Sequence, residues 1–146
     1  MTSFAIAIDC ADPYALLRFW STAMGWEIED NTALIEGLRE RGVITEGDYI
    51  EVDGRLGWPT IAAVRDPAGG QGGRILFQTV PEAKTVKNRV HLDIHVTAER
   101  RPALVEELVA LGGSVLAEHQ EFGSDWVVLA DPEGNELCLA LAHPSA

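Results

Sequence analysis

Residues 90–96, Val-His-Leu-Asp-Ile-His-Val, alternate without a break between apolar and polar side chains. In an extended strand this sends Val90, Leu92, Ile94 and Val96 to one face and His91, Asp93 and His95 to the other. Residues 3–9, Ser-Phe-Ala-Ile-Ala-Ile-Asp, open an earlier copy of the same order of elements: a strand, an amphipathic helix, a glycine stop and further strands. Such a unit used twice builds a cupped mixed sheet around a small molecule, with helices on the outer face. The expected class is α+β.

Outward from these two strands the elements follow in order. Asp12-Pro13 supplies an N-cap and a first-turn proline, and Leu16, Leu17, Phe19, Trp20 and Met24 then fall at near-helical spacing. Trp20 is expected in the core. Gly25 stops this helix before a strand at Trp26-Glu27-Ile28. Asn31 or Thr32 caps a second helix through Leu34, Ile35 and Leu38 to a stop near Gly42, ahead of an alternating strand at 49–53. Trp58 to Arg65 reads as a strand, 66–73 as a flexible hairpin connection, and Arg74 to Val80 as a strand carrying Gln78. The second copy runs through a strand at 90–96 and a helix from about Glu99 to Leu111, with Pro102 in its first turn and Gly112-Gly113 as its stop. Strands at 114–118 and 125–130, the turn Asp131-Pro132-Glu133-Gly134-Asn135 and a strand from Glu136 complete it. The expectation is one domain over 1–146, with module one at about 3–80, a joint at 81–89 and module two at about 90–142.

Composition limits the function. A chain of 146 residues with a hydrophobic fraction of 47% can bury a substantial core. A net charge of −12 argues against nucleic acid, whose phosphates are bound by lysine and arginine releasing counterions. Nine carboxylates between Glu27 and Asp53 against Arg39 and Arg41 leave a local balance of −7, which either steers a cationic ligand or keeps the surface soluble. No apolar run is long enough to span a membrane and no basic-then-apolar start marks a secretory signal, so the chain reads as cytoplasmic. Cys10 and Cys138 fit reduced, buried thiols better than a disulfide framework. Three of the eleven basic residues, Lys84, Lys87 and Arg89, lie in the joint, where they either bind an anionic group or pair with carboxylates or a second subunit.

Three groups of residues carry a resemblance: Asp12-Pro13 with Phe19-Trp20 and Gly25-Trp26; Phe77-Gln78-Thr79-Val80-Pro81-Glu82 with Lys84, Lys87, Asn88, Arg89 and His91; and Asp131-Pro132-Glu133-Gly134-Asn135-Glu136. In this order they resemble the vicinal oxygen chelate superfamily, which groups glyoxalase, bleomycin-resistance and extradiol dioxygenase proteins built from paired βαβββ modules, and within it the glyoxalase-like proteins of actinobacteria. The resemblance implies a homodimer. It also implies a divalent metal held by one side chain from the first strand and one from the last strand of each module. The corresponding positions here are Ala5, which cannot ligate, Gln78, His91 and Cys138, with the carboxylate of Glu136 displaced by two residues on the same face.

Two readings of the site follow. In the first the cup only binds a small organic molecule, whose ligand-binding residues are Gln78, His91, His95, Trp58, Trp126 and Cys138. Trp58, Trp126 and Trp26 can stack on a flat ligand, or serve as core or dimer residues. In the second a metal centre is rebuilt from His91, Gln78 and Glu136, with Asp93, His95 and Cys138 as further donors. One divalent ion, zinc, manganese, nickel or iron, would then serve a lyase, isomerase or dioxygenase. Glu136 or Asp93 would move the proton once desolvation or a neighbouring charge raised its pKa. His119 and His143 are expected to be exposed and uninvolved. Ala5 and Cys138 favour the binder; the polar face at 91, 93 and 95 keeps the enzyme open.

Overall fold

The computed structural model describes residues 4–69 and 73–142. Module one is β1 (Ile6–Cys10), α1 (Pro13–Met24), β2 (Glu27–Ile28), α2 (Thr32–Glu40), β3 (Ile50–Val52), β4 (Arg55–Gly57), β5 (Ile61–Arg65) and β6 (Arg74–Thr79). Module two is β7 (Leu92–Val96), α3 (Arg101–Ala110), β8 (Ser114–Glu121), β9 (Ser124–Ala130) and β10 (Glu136–Leu141). The strands form two mixed four-stranded sheets in the orders β1-β6-β5-β2 and β7-β10-β9-β8, with β3 and β4 as a separate hairpin. In each sheet the first strand runs parallel to the last. The βαβββ pattern is thus present twice, and module one carries α2, β3 and β4 as an insertion between its second and third sheet strands.

Local chemistry explains most boundaries. The Asp12 carboxylate accepts from the backbone N–H groups of Tyr14 and Ala15, and Gly25 ends α1 in the left-handed conformation at φ 66°. Leu16, Leu17, Phe19, Trp20 and Ala23 on α1 are buried. The Asn31 side chain forms no cap at α2; Asp30 accepts from Thr32 N–H instead. The strand expected from Trp58 begins only at Ile61, because Pro59 lacks an N–H to continue a ladder, and Trp58 keeps a single bridge to Ile61. The strand expected at 49–53 is one arm of a hairpin, β3–β4. Its signal is Asp53-Gly54, both at positive φ of 50° and 76°, the two-residue turn that matches strand twist. In the connection at 66–73, Asp66 N–H donates to the Gly73 carbonyl, closing a hairpin, while residues 70–72 of the stretch expected to be flexible lie outside the described residues.

The two modules share one core. It joins Leu16, Phe19, Trp20, Ile75 and Phe77 of module one to Leu104, Leu108, Leu129, Leu137 and Leu139 of module two. Helix α1 packs on β5 and β6, α3 on β8, and the helices on each other. A Cβ at Gly113 would lie 2.5 Å from the Phe19 ring and 2.9 Å from the Leu108 carbonyl, so this close approach requires glycine. Trp20 is 1% exposed, and its indole N–H donates over 2.9 Å to Asp131, a buried carboxylate that also accepts from the backbone N–H of Glu133 and Asn135. Glu133 in turn accepts from the backbone N–H groups of Ala11 and Asp12 at the start of α1. The Asp-Pro-Glu-Gly-Asn turn is therefore the polar clasp between modules.

Four of the nine carboxylates in the acidic stretch pair with arginines. Glu27 pairs with Arg65, Glu29 with Arg74, Asp30 with Arg55 and Asp53 with Arg18. These pairs favour the solvated-surface reading over attraction of a cationic ligand. No helix among the described residues is long and apolar enough to cross a membrane.

Candidate functional site

The face of the second sheet that points away from the helices is laid out by strand register. Across the sheet one row reads Asp93, Cys138, Val128, Ala117 and the next reads His95, Ala140, Trp126, His119. Over these rows opens a cavity of about 910 Å³, which His91, Lys87 and Glu136 also line. Its floor is small and apolar where β10 and β9 cross, and polar groups stand at both ends. This is the usual composition of a small-molecule site.

At the β7 end three donor-type side chains converge. His91 Nδ1 lies 3.0 Å from Asp93 Oδ1 and 3.9 Å from Cys138 Sγ. One ligand atom of each lies within 4.8 Å of the others. Burial, and after it the Asp93 charge, pushes the Cys138 thiol up to about 11, and burial likewise pushes Cys10 up to about 12. Both cysteines are free thiols, as the sequence reading expected.

At the β8 end the rings of His119 and Trp126 stack with centroids 4.9 Å apart and planes at 21°. His119, expected to be exposed and uninvolved, is half-buried and lines the cavity. The cause is a β-bulge between Val115 and Ala117, which shifts the pairing so that His119 opposes Trp126. Simple alternation from Ser114 would have turned His119 toward the helices. His143 lies outside the described residues.

The remaining candidates are placed elsewhere or otherwise engaged. Glu136 binds Lys87, with Lys84 at 4.0 Å. The hydrogen bond from Lys87 holds its carboxyl below the usual glutamate value, opposite to the rise that a general base requires. Gln78 lies on β6 and donates over 2.8 Å to Asp9, its register partner. Trp58 offers its carbonyl to the Tyr14 hydroxyl at 2.8 Å, and Trp26 packs against the core. None of Gln78, Trp58 and Trp26 lines the large cavity. A smaller cavity of about 420 Å³ opens at the seam of the modules, lined by Ile6, Ile8, Lys84 and Val90 among others.

The two-per-module ligand pattern does not fit this chain. Ala5 offers no donor and the Gln78 amide is bonded to Asp9. The registers of β1 and β7 are superimposable, Asp9 opposite Gln78 and His95 opposite Ala140, so the counterpart of Gln78 is Ala140 and that of Cys138 is Leu76. Among the described residues, the donors that do meet, His91, Asp93 and Cys138, belong to the second module.

Comparison with known proteins agrees with this architecture. The model of a family described as "Glyoxalase-like domain" matches residues 5–140. No curated protein matches the sequence. Among solved structures, a glyoxalase/bleomycin resistance protein/dioxygenase family enzyme from Burkholderia phytofirmans is 14% identical, with a TM-score of 0.61 over 95% of this chain and 97% of the other. A glyoxalase-related enzyme from Fulvimarina pelagi is 21% identical, with a TM-score of 0.60 over 97% and 88%. A mutant of the fosfomycin resistance protein FosX from Listeria monocytogenes, complexed with Mn(II) and 1S,2S-dihydroxypropylphosphonic acid, is 12% identical, with a TM-score of 0.61 over 98% and 90%. At these identities the likeness is one of fold.

Proposed function

The chain belongs to the glyoxalase-like domain family, and from that premise we propose that it binds a small organic molecule on the open face of its second sheet. The observation that carries this reading is the cavity of about 910 Å³ over the Cys138–Val128 and Ala140–Trp126 rows. Its small apolar floor admits a flat ligand, the His119–Trp126 stack offers an aromatic wall, and His91, Asp93 and Lys87 offer hydrogen bonds at the opposite end. The protein acts as one domain, as a homodimer and in the cytoplasm. Its partner is a small molecule, and its acidic balance disfavours nucleic acid.

The test fills the cavity. Ala140 is half-buried on the floor, so Ala140→Trp blocks the cavity from within. Anilinonaphthalene sulfonate, excited directly, should bind the native protein and lose its affinity in Ala140→Trp at unchanged circular dichroism. Undiminished binding in the variant places the ligand site elsewhere and ends this reading.

A second reading, a divalent-metal-dependent lyase, isomerase or dioxygenase, is favoured by the approach of His91, Asp93 and Cys138. A divalent ion supplies polarisation of vicinal oxygens when bound. His91 and Asp93 would hold it, and Glu136, kept charged by Lys87, would anchor the joint rather than move a proton.

A further inference from the structure

We propose that His91, Asp93 and Cys138 form a zinc-class site that takes all of its protein ligands from the second module. The inference deepens the metal-dependent reading above and departs from the two-per-module pattern, which the geometry does not support. Donors bound to one zinc ion at about 2.0–2.3 Å stand roughly 3–4 Å from one another. His91 Nδ1 is 3.0 Å from Asp93 Oδ1 and 3.9 Å from Cys138 Sγ, so two of the three spacings already lie in that range. The third is bounded by the 4.8 Å that contains all three ligand atoms.

The scaffold makes this spacing dependable. Asp93 and Cys138 are register partners on adjacent parallel strands, and His91 stands immediately before β7 with its ring against Asp93. A site on paired strands is held more tightly than one on loops. Cys138 is 8% exposed yet stands outside the main core, on the cavity face, so packing with the helices does not account for it.

Donor chemistry sets the ion. A thiolate with an imidazole selects zinc over magnesium, calcium or manganese, which suit oxygen donors. Three protein ligands with the remaining direction open to a cavity is the layout of a reactive zinc site, whereas structural zinc is closed by four. Module one holds no equivalent: Ala5, Ala7 and Leu76 occupy the positions of His91, Asp93 and Cys138.

The experiment uses the intact chain, stripped of metal by chelator and dialysed. Calorimetric titration with zinc should show one equivalent, and cobalt(II) should give the near-ultraviolet charge-transfer band of a cobalt thiolate. Cys138→Ser should abolish the band. Cys138→Ser and His91→Ala should each weaken zinc by more than the ~10–100-fold cost typical of losing an outer-shell partner. Gln78→Ala, outside the cavity, should leave stoichiometry and affinity unchanged. Absence of the cobalt–thiolate band in the native protein overturns the proposal without recourse to any variant, and so does an equal loss of zinc in Gln78→Ala. Anilinonaphthalene sulfonate binding to the metal-free protein reads the cavity separately. If the dye binds and zinc does not, the metal site alone is refuted; if neither binds, the cavity reading falls with it.

Discussion

The two sheets have the same strand order and the same register, yet the cavity of about 910 Å³ opens over the second. Ala7 stands where Asp93 does, Asp9 where His95 does, Leu76 where Cys138 does, and Gln78 where Ala140 does. Even the charge at the start of the last strand is reversed. Arg74 of module one binds Glu29, whereas its counterpart Glu136 binds Lys87 and Lys84. Module one spends its polar pair, Asp9 and Gln78, on each other. Module two leaves a small floor at Ala140 and crowds its donors at one end. Topology therefore supplies two equivalent frames, and side-chain size and donor type decide which becomes a pocket.

The comparison breaks most severely if the modules are not one cooperative body. Trp20→Ala removes a ring 1% exposed and the indole donor to Asp131, and should cost roughly 3–5 kcal/mol. Denaturant melts followed by far-ultraviolet and tryptophan signals should coincide in a single transition; two separated transitions would show that the modules unfold independently.

A smaller effect sharpens the account of the pocket. Trp126→Ala removes the aromatic wall of module two, and should weaken anilinonaphthalene sulfonate by roughly 1 kcal/mol, about fivefold. Trp58→Ala, from module one and outside the cavity, should leave that affinity unchanged. Equal losses in both would mean that the ligand bridges the modules.

The reversed charge gives a pH signature. Lys87 holds the folded Glu136 carboxyl below its ordinary value of 4.5, so the pair's contribution is present above that pH and is lost as pH falls through the lower folded value. Because Lys87 is 63% exposed, solvent screening limits this to well under ~1 kcal/mol. Lys87→Met should therefore be less stable than the native protein at neutral pH, and the two acid melting curves should converge below the glutamate range. A gap that persisted at low pH would assign Lys87 a packing role instead. The smallest effect belongs to Gln78→Ala, which removes an exposed hydrogen bond to Asp9 and should change stability by no more than ~0.5 kcal/mol, read from the melting midpoint.

Much of this was legible from local rules. Asp12-Pro13 and Gly25 bound α1 through capping and a positive φ, and the alternation at 90–96 places His91, Asp93 and His95 on one face in any strand. The Asp53-Gly54 hairpin turn is equally legible, since both residues sit at positive φ. His119 was not legible, because the bulge that turns it inward depends on pairing with β9, which no local periodicity encodes. The correspondence of Gln78 with Cys138 failed for a related reason: spacing along a chain does not fix register between strands, whereas the backbone ladders do.

By itself, then, the sequence determined the repeated module, its helix stops, the polar face of β7 and the absence of a donor at Ala5, since all of these follow from dihedral preferences, period-two geometry and side-chain identity. Only the tertiary structure decided that Cys138 meets His91 and Asp93, that Lys87 claims Glu136, that Trp20 crosses to Asp131, and that His119 stacks on Trp126. Each of these joins residues from different strands, helices or joints, and contacts of that kind are set by strand register and core packing.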